Sequence, residues 1–111
     1  SVVVQAAPCR RFRFDGAQGE AAGQEDVFQL VGQGIADGFL EGFNGTICVY
    51  GQTGAGKTYT MVGDVVSVDQ MHSDPRRGLI CRTLDYVFDQ VRRREAATPG
   101  VSYAFRCSFL E

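Results

Sequence analysis

Thr46-Ile47-Cys48-Val49-Tyr50-Gly51-Gln52-Thr53-Gly54-Ala55-Gly56-Lys57-Thr58 lies near the middle of a 111-residue chain and joins an apolar run to a glycine-rich one. The first five residues are β-branched or apolar on both faces, which suits a central strand covered on both sides, as in a parallel sheet. Gly51 to Thr58 match the pattern Gly-x-x-x-x-Gly-Lys-Ser/Thr at every defined place. Gly51, Gly54 and Gly56 let the backbone curl so that successive N–H groups face one concavity, a shape that attracts anions. A helix starting near Gly56 would add its unsatisfied N–H groups and positive dipole end beneath a phosphate. Lys57 would reach the β- and γ-phosphates as a compact charge. Thr58 would offer its hydroxyl to Mg²⁺, which prefers oxygen ligands. At ~7% average glycine usage, two glycines at this spacing arise about once in 200 positions, and the Lys and Ser/Thr lower that by roughly two further orders of magnitude. The loop is therefore read as a phosphate-binding loop.

Toward the N-terminus, Phe28, Val31, Ile35 and Phe39 recur at offsets of three, four and four, placing them on one face of a helix from Gln24 to Glu41. Gly32, Gly34 and Gly38 interrupt it at about 1 kcal/mol each relative to Ala, so the helix depends on tertiary packing. Gly42 is the expected stop, followed by the turn pair Asn44-Gly45. Gly16 to Gly23 reads as a loop, Arg11 to Asp15 alternates as a half-buried strand does, and Val2 to Val4 form a further short strand candidate. Toward the C-terminus, Asp64 to Arg77 reads as a polar loop. A second amphipathic helix is expected over about Leu79 to Arg93, with Ile80, Leu84, Val87, Phe88 and Val91 inward. Thr98-Pro99-Gly100 is a turn, and Val101, Tyr103, Phe105, Cys107 and Phe109 alternate as a strand. The order strand, helix, strand, helix, helix, strand predicts an α/β sheet flanked by helices.

Composition excludes several classes. No apolar run approaches the ~20 residues of a membrane-spanning helix, and no signal segment opens the chain. A net charge of −2 gives no reason to expect nucleic acid. Three small arginine clusters, at Arg10 to Arg13, Arg76 to Arg77 and Arg92 to Arg94, read as solvated faces. Cys9, Cys48, Cys81 and Cys107 are widely spaced, which fits neither a zinc site nor a disulfide framework and points to a reducing, cytosolic setting. The first residue is Ser, and the last ten residues are a strand candidate with no turn after it. A strand at an exposed boundary presents unpaired backbone. Residues 1–111 are therefore expected to be an incomplete domain of a longer protein, without a second domain.

Phosphoryl transfer also needs a carboxylate on the metal side and a group that positions the attacking water. Asp15 ends a strand candidate, but one that precedes the loop. Asp85 and Asp89 fall on the polar side of a helix, and His72 stands alone in a polar loop. The residues support phosphate binding and do not support hydrolysis.

Phe43-Asn44-Gly45-Thr46-Ile47-Cys48-Val49-Tyr50 through Gly51 to Met61 resembles the signature stretch of kinesin motor domains. Phe12-Arg13-Phe14-Asp15, Gln24-Glu25-Asp26-Val27-Phe28, Arg77-Gly78-Leu79-Ile80 and Cys107-Ser108-Phe109-Leu110-Glu111 resemble flanking pieces of the same family. The resemblance implies a P-loop NTPase-like sheet flanked by helices, incomplete here. It implies ATP and Mg²⁺ as ligands, held by Gly51, Gln52, Thr53, Gly54, Ala55, Gly56, Lys57 and Thr58, with Thr58 on the metal. It also implies adenine packing near Tyr59, for which plain helix packing is an equal alternative. Microtubules are the implied partner and the cytoplasmic cytoskeleton the implied location. Two departures stand out: nothing before Arg10 matches the family's Arg-rich first strand ending in Pro, and Gly16-Ala17 replaces an apolar pair. The two switch segments, with any catalytic residue, would lie beyond Glu111, so turnover by these residues alone is not expected. The alternatives from the residues are another P-loop NTPase, such as a nucleotide kinase or GTPase, and a non-enzymatic nucleotide-binding or interaction module.

Overall fold

The computed structural model describes residues 2–4, 10–67 and 69–108. Cys9 and the end of the last expected strand, from Phe109, lie outside them. The elements in chain order are β1 (Val2–Val4), β2 (Arg10–Phe12), α1 (Gln24–Val27), a π-helical turn (Phe28–Gly32), α2 (Gln33–Leu40), α3 (Lys57–Met61), α4 (Gln70–Ser73) and α5 (Leu79–Ala97).

The expected N-terminal helix is present as one continuous run from α1 to α2. It starts where Gly23 N–H donates to Asp26 Oδ2 at 2.8 Å, one arm of a capping box, with Glu25 and Asp26 at the positive end of the helix dipole. The π turn inserts one extra residue and so turns the following side chains by about 100° around the axis. That insertion breaks the face read from sequence. Phe28 and Ala36 are buried, Ile35 is half-buried, and Val31 and Phe39 are exposed. The stop at Gly42 is formed as expected. Gly42 takes φ +94°, its N–H donates to Phe39 O at 3.0 Å, and Phe43 N–H reaches back to Gly38 O at 2.9 Å. This pairing satisfies the carbonyls that a helix end leaves open.

Helix α5 packs across α2 and the π turn. Its buried face is Leu79, Arg82, Val87 and Val91. The sequence placed Ile80, Leu84 and Phe88 inward as well; they are 45%, 51% and 40% exposed. The helix from α1 to α2 covers one stripe of α5, and among the described residues the opposite stripe is only partly covered, with Phe105 against Phe88. The polar segment 64–77 is held at its base by a close backbone crossing. Gly63 and Arg77 form an antiparallel bridge, and Gly78 N–H donates to Val62 O at 3.0 Å. A Cβ on Gly63 would sit 2.2 Å from Arg76 O, and one on Gly78 2.6 Å from Met61 O, so the crossing requires both glycines. Within the segment, α4 forms where only loop was expected.

The expected central sheet is not formed among the described residues. Val2–Val4 pairs antiparallel with Arg10–Phe12, Val3 opposite Arg11, and Arg13 to Asp15 continue without partners. Thr46 to Tyr50 and Val101 to Ser108 run without strand pairing, and Tyr50 is 85% exposed. A strand buried on both faces acquires its hydrogen bonds and its cover from neighbours, and neither segment has them here.

Candidate functional site

Gly51 to Thr58 form one exposed loop that leads directly into α3. Gly51, Gly54 and Gly56 take φ of +154°, +82° and +84°, conformations that L side chains rarely adopt. The loop tightens where Ala55 N–H donates to Gln52 O at 3.2 Å. Gly56, left-handed at the helix entry, turns the chain into α3, whose first bond of helical spacing is Thr60 N–H to Gly56 O at 2.9 Å. The amides of Lys57, Thr58 and Tyr59 precede that bond and belong to the orphan donors of a helix start.

The Lys57 ammonium lies over the loop, donating to Gly51 O at 2.9 Å and Gln52 O at 2.8 Å. A lysine in this position closes the concavity onto its own carbonyls and is free to exchange them for an anion. The Thr60 hydroxyl donates to Gly56 O at 3.0 Å and is committed to its own helix, whereas Thr58 stands exposed at the loop rim. The residues thus fit a phosphate with an attached cation: a glycine-curled run of amides, one ammonium over the loop and one accessible hydroxyl. Among the described residues no group of three or more His, Cys, Asp or Glu side chains is placed to hold a metal by itself. A cation here would depend on the phosphate oxygens it accompanies.

Tyr59 points outward and is 49% exposed. Its carbonyl ties α3 to α1, since Gln24 Nε2 donates to Tyr59 O at 2.7 Å. Gln24 is buried, and the sequence reading gave it no role beyond opening the helix, because its partner lies 35 residues away. Arg82 was missed as well. It is 5% exposed, with Nε on Arg77 O at 3.0 Å, Nη2 on Pro75 O at 2.8 Å and Nη1 on Glu25 Oε2. Its place three residues after Leu79, on the inward side of α5, was the available signal.

The helix carboxylates considered for catalysis pair with residues outside the loop, Asp89 with Arg93 at 2.8 Å. Asp85 accepts from His72 Nδ1 at 2.8 Å and lies 3.6 Å from Arg77 Nε. With Asp89, Arg92 and Tyr86 they line a cleft of about 440 Å³ between α1, α4 and α5. Tyr86 donates to Asp37 Oδ1 at 2.6 Å, and that bond, with burial, pushes its phenol pKa upward. Asp15 is exposed. The structure does not bring Asp15, Asp85, Asp89 or His72 together with Lys57 and Thr58 by any hydrogen bond or ion pair. No helix among the described residues is long and apolar enough to cross a membrane.

A family model described as the kinesin motor domain matches residues 2–111. Kinesin-like protein KIF15 of Strongylocentrotus purpuratus is 45% identical over 102 residues, which cover 90% of this chain and 7% of that protein. KIF15 of Mus musculus is 42% identical over 103 residues, covering 92% and 7%. Kinesin-like protein KIN-12B of Oryza sativa subsp. japonica is 41% identical over 102 residues, covering 90% and 9%. The chain therefore spans less than a tenth of the length of these curated relatives. With its match running across nearly every residue, the chain belongs to the kinesin motor domain family.

Proposed function

We propose that residues 1–111 are the nucleotide-binding part of a kinesin motor domain, and that the protein carrying them uses ATP to act on microtubules in the cytoplasm. The observation that carries this reading is the complete Gly51-to-Thr58 loop, glycine-curled and opening into α3, inside a chain that matches the family over residues 2–111. In the proposed site the loop amides from Gln52 to Thr58 hold the phosphates, and Lys57 leaves the carbonyls of Gly51 and Gln52 to pair with the outer ones. Thr58 takes a place on Mg²⁺, and Tyr59 offers its exposed ring to adenine. Mg²⁺, when bound, neutralises charge on the phosphate oxygens. The groups that position the attacking water lie outside these residues, so the segment contributes binding and orientation. In the intact motor a central sheet flanks the loop, with Thr46 to Tyr50 as one of its strands.

The test is Lys57→Ala in the full motor chain, read by binding of a fluorescent ATP analogue with Mg²⁺ and by microtubule-stimulated ATP hydrolysis. Loss of a charge-assisted contact to phosphate is expected to weaken binding by at least about tenfold and to abolish stimulated turnover. Wild-type affinity in Lys57→Ala would remove the assignment of the loop.

A further inference from the structure

Helix α3 has only five residues, too few to persist in water without help. It begins at the loop, so the direction of α3 sets where the amides of Lys57 and Thr58 point. Whatever holds its far end therefore acts on the loop itself. That end closes on one carbonyl: Val62 N–H and Gly63 N–H both approach Thr58 O, at 2.8 and 3.4 Å. The next carbonyl, Tyr59 O, lies beyond this closure and accepts from a side chain of another element. Gln24 Nε2 donates to it at 2.7 Å across 35 residues of sequence.

Gln24 is 6% exposed, one of two buried polar or charged residues among those described. Its neighbour Glu25 is tied to the buried Arg82 of α5. Adjacent residues at the start of α1 thus reach in different directions, one to the loop helix and the other to the helix beyond the polar segment. Burying an amide costs free energy unless it is bonded, so the Gln24 side chain is held to this one geometry.

We propose that Gln24 is a positioning residue for the nucleotide site: by capping the C-terminal end of α3 from α1, it aims the Lys57 and Thr58 end of that helix at the phosphates. The inference rests on the proposed function of the loop and adds to it a residue outside the motif. Gln24 touches neither nucleotide nor metal in this scheme. Its effect passes through the Tyr59 carbonyl and the short helix.

The experiment compares Gln24→Met and Gln24→Glu with the wild type in the full motor chain, and uses Glu25→Gln as a neighbouring control. Met keeps length and helix propensity and removes the donor. A carboxylate at this place has no proton to donate and faces the carbonyl with a second acceptor. The KM for ATP is expected to rise about tenfold in Gln24→Met, the loss associated with one hydrogen bond to a buried group, and further in Gln24→Glu, with kcat unchanged. Glu25→Gln is expected to leave KM unchanged. A residue that only supported folding would lower the active fraction, and hence apparent kcat, without moving KM; that result, or an unchanged KM in both Gln24 variants, overturns the proposal. Amide hydrogen exchange supplies a reading independent of nucleotide. Lys57 to Met61 are expected to exchange faster in Gln24→Met than in wild type, and unchanged protection there also overturns it. A wild-type chain that bound no ATP analogue would instead refute the function proposed for the loop, and the exchange measurement would still decide the role of Gln24.

Discussion

Asp74 shows how much of the local order in the polar segment comes from single charged groups. Its Oδ1 accepts from the Arg76 backbone N–H at 2.8 Å and from Arg76 Nε at 3.1 Å, and its Oδ2 pairs with Arg76 Nη2 at 2.8 Å. These bonds favour the ionised form and lower the carboxyl pKa from 3.8 to about 2. With the native pKa below the unfolded one, the unfolded state binds the proton more readily. The stabilisation is therefore complete above about 3.8 and is lost as pH falls from there through about 2. Carboxyl-carbon NMR of Asp74 is expected to titrate near the lower value; a midpoint at the ordinary aspartate value would mean that the Arg76 pair does not form in solution. Arg82 is the buried counterpart. It satisfies its guanidinium with two backbone carbonyls and Glu25, which binds the base of the polar segment to α1. Legibility differs sharply between such residues. The role proposed for Lys57 is readable from the motif around it, whereas Gln24 and Arg82 act through partners 35 and 57 positions away.

At the scale of the element, the glycines of the first long helix divide by environment. A Cβ on Gly32 would lie 2.6 Å from the Phe28 ring and 3.4 Å from Leu79, whereas Gly34 and Gly38 have open space around them. Gly34→Ala and Gly38→Ala are each expected to stabilise α2 by about 1 kcal/mol, slowing amide exchange over residues 33–40 roughly fivefold. Gly32→Ala is expected to act in the opposite direction, because the Phe28 ring or the backbone must shift. Exchange rates of the three variants check the ordering, and a stabilising Gly32→Ala would show that the π turn is not packed as described. The stop at Gly42 was readable because a glycine C-cap is local chemistry, whereas the start at Gln24 was placed by apolar spacing and the Gly23–Asp26 cap came to light only in the structure. The π turn was not, since nothing within its own five residues distinguishes it from α-helix; the edge-on packing of Phe28 against Tyr86 of α5 accompanies it.

The molecule as a whole is loosely assembled. Its radius of gyration is 17.0 Å, against ~13 Å for a compact domain of this length. Ile80, Leu84 and Phe88 form a half-exposed stripe on α5, whose one aromatic partner among the described residues is Phe105, edge-on to Phe88 at 4.7 Å and itself 41% exposed. Burial of such a stripe would contribute about 1.5–3 kcal/mol for each large side chain, so its exposure leaves much of the usual driving force unused. The 111-residue chain by itself is accordingly expected to bind a hydrophobic dye and to lose helicity over a broad thermal range by circular dichroism. A sharp, cooperative melt without dye binding would contradict this picture of the fold.

The residues from Gly51 to Thr58 carried their own meaning. A turn made of glycines, a lysine and a hydroxyl at set places predicts its own backbone curl, and the positive φ values at Gly51, Gly54 and Gly56 show that curl in space; the phosphate it is proposed to hold follows from the same local pattern. The helices expected over Gln24 to Glu41 and about Leu79 to Arg93 were legible because apolar spacing lies within one element, and the second runs one turn further, to Ala97. Only the tertiary structure decided which faces were covered. It shifted the α2 face by one π turn, left half of the apolar residues of α5 exposed, and left Thr46 to Tyr50 without a strand partner among the described residues. Strand pairing and burial are relations between segments, and a run that would be buried on both faces remains an unpaired segment until its neighbours are in place.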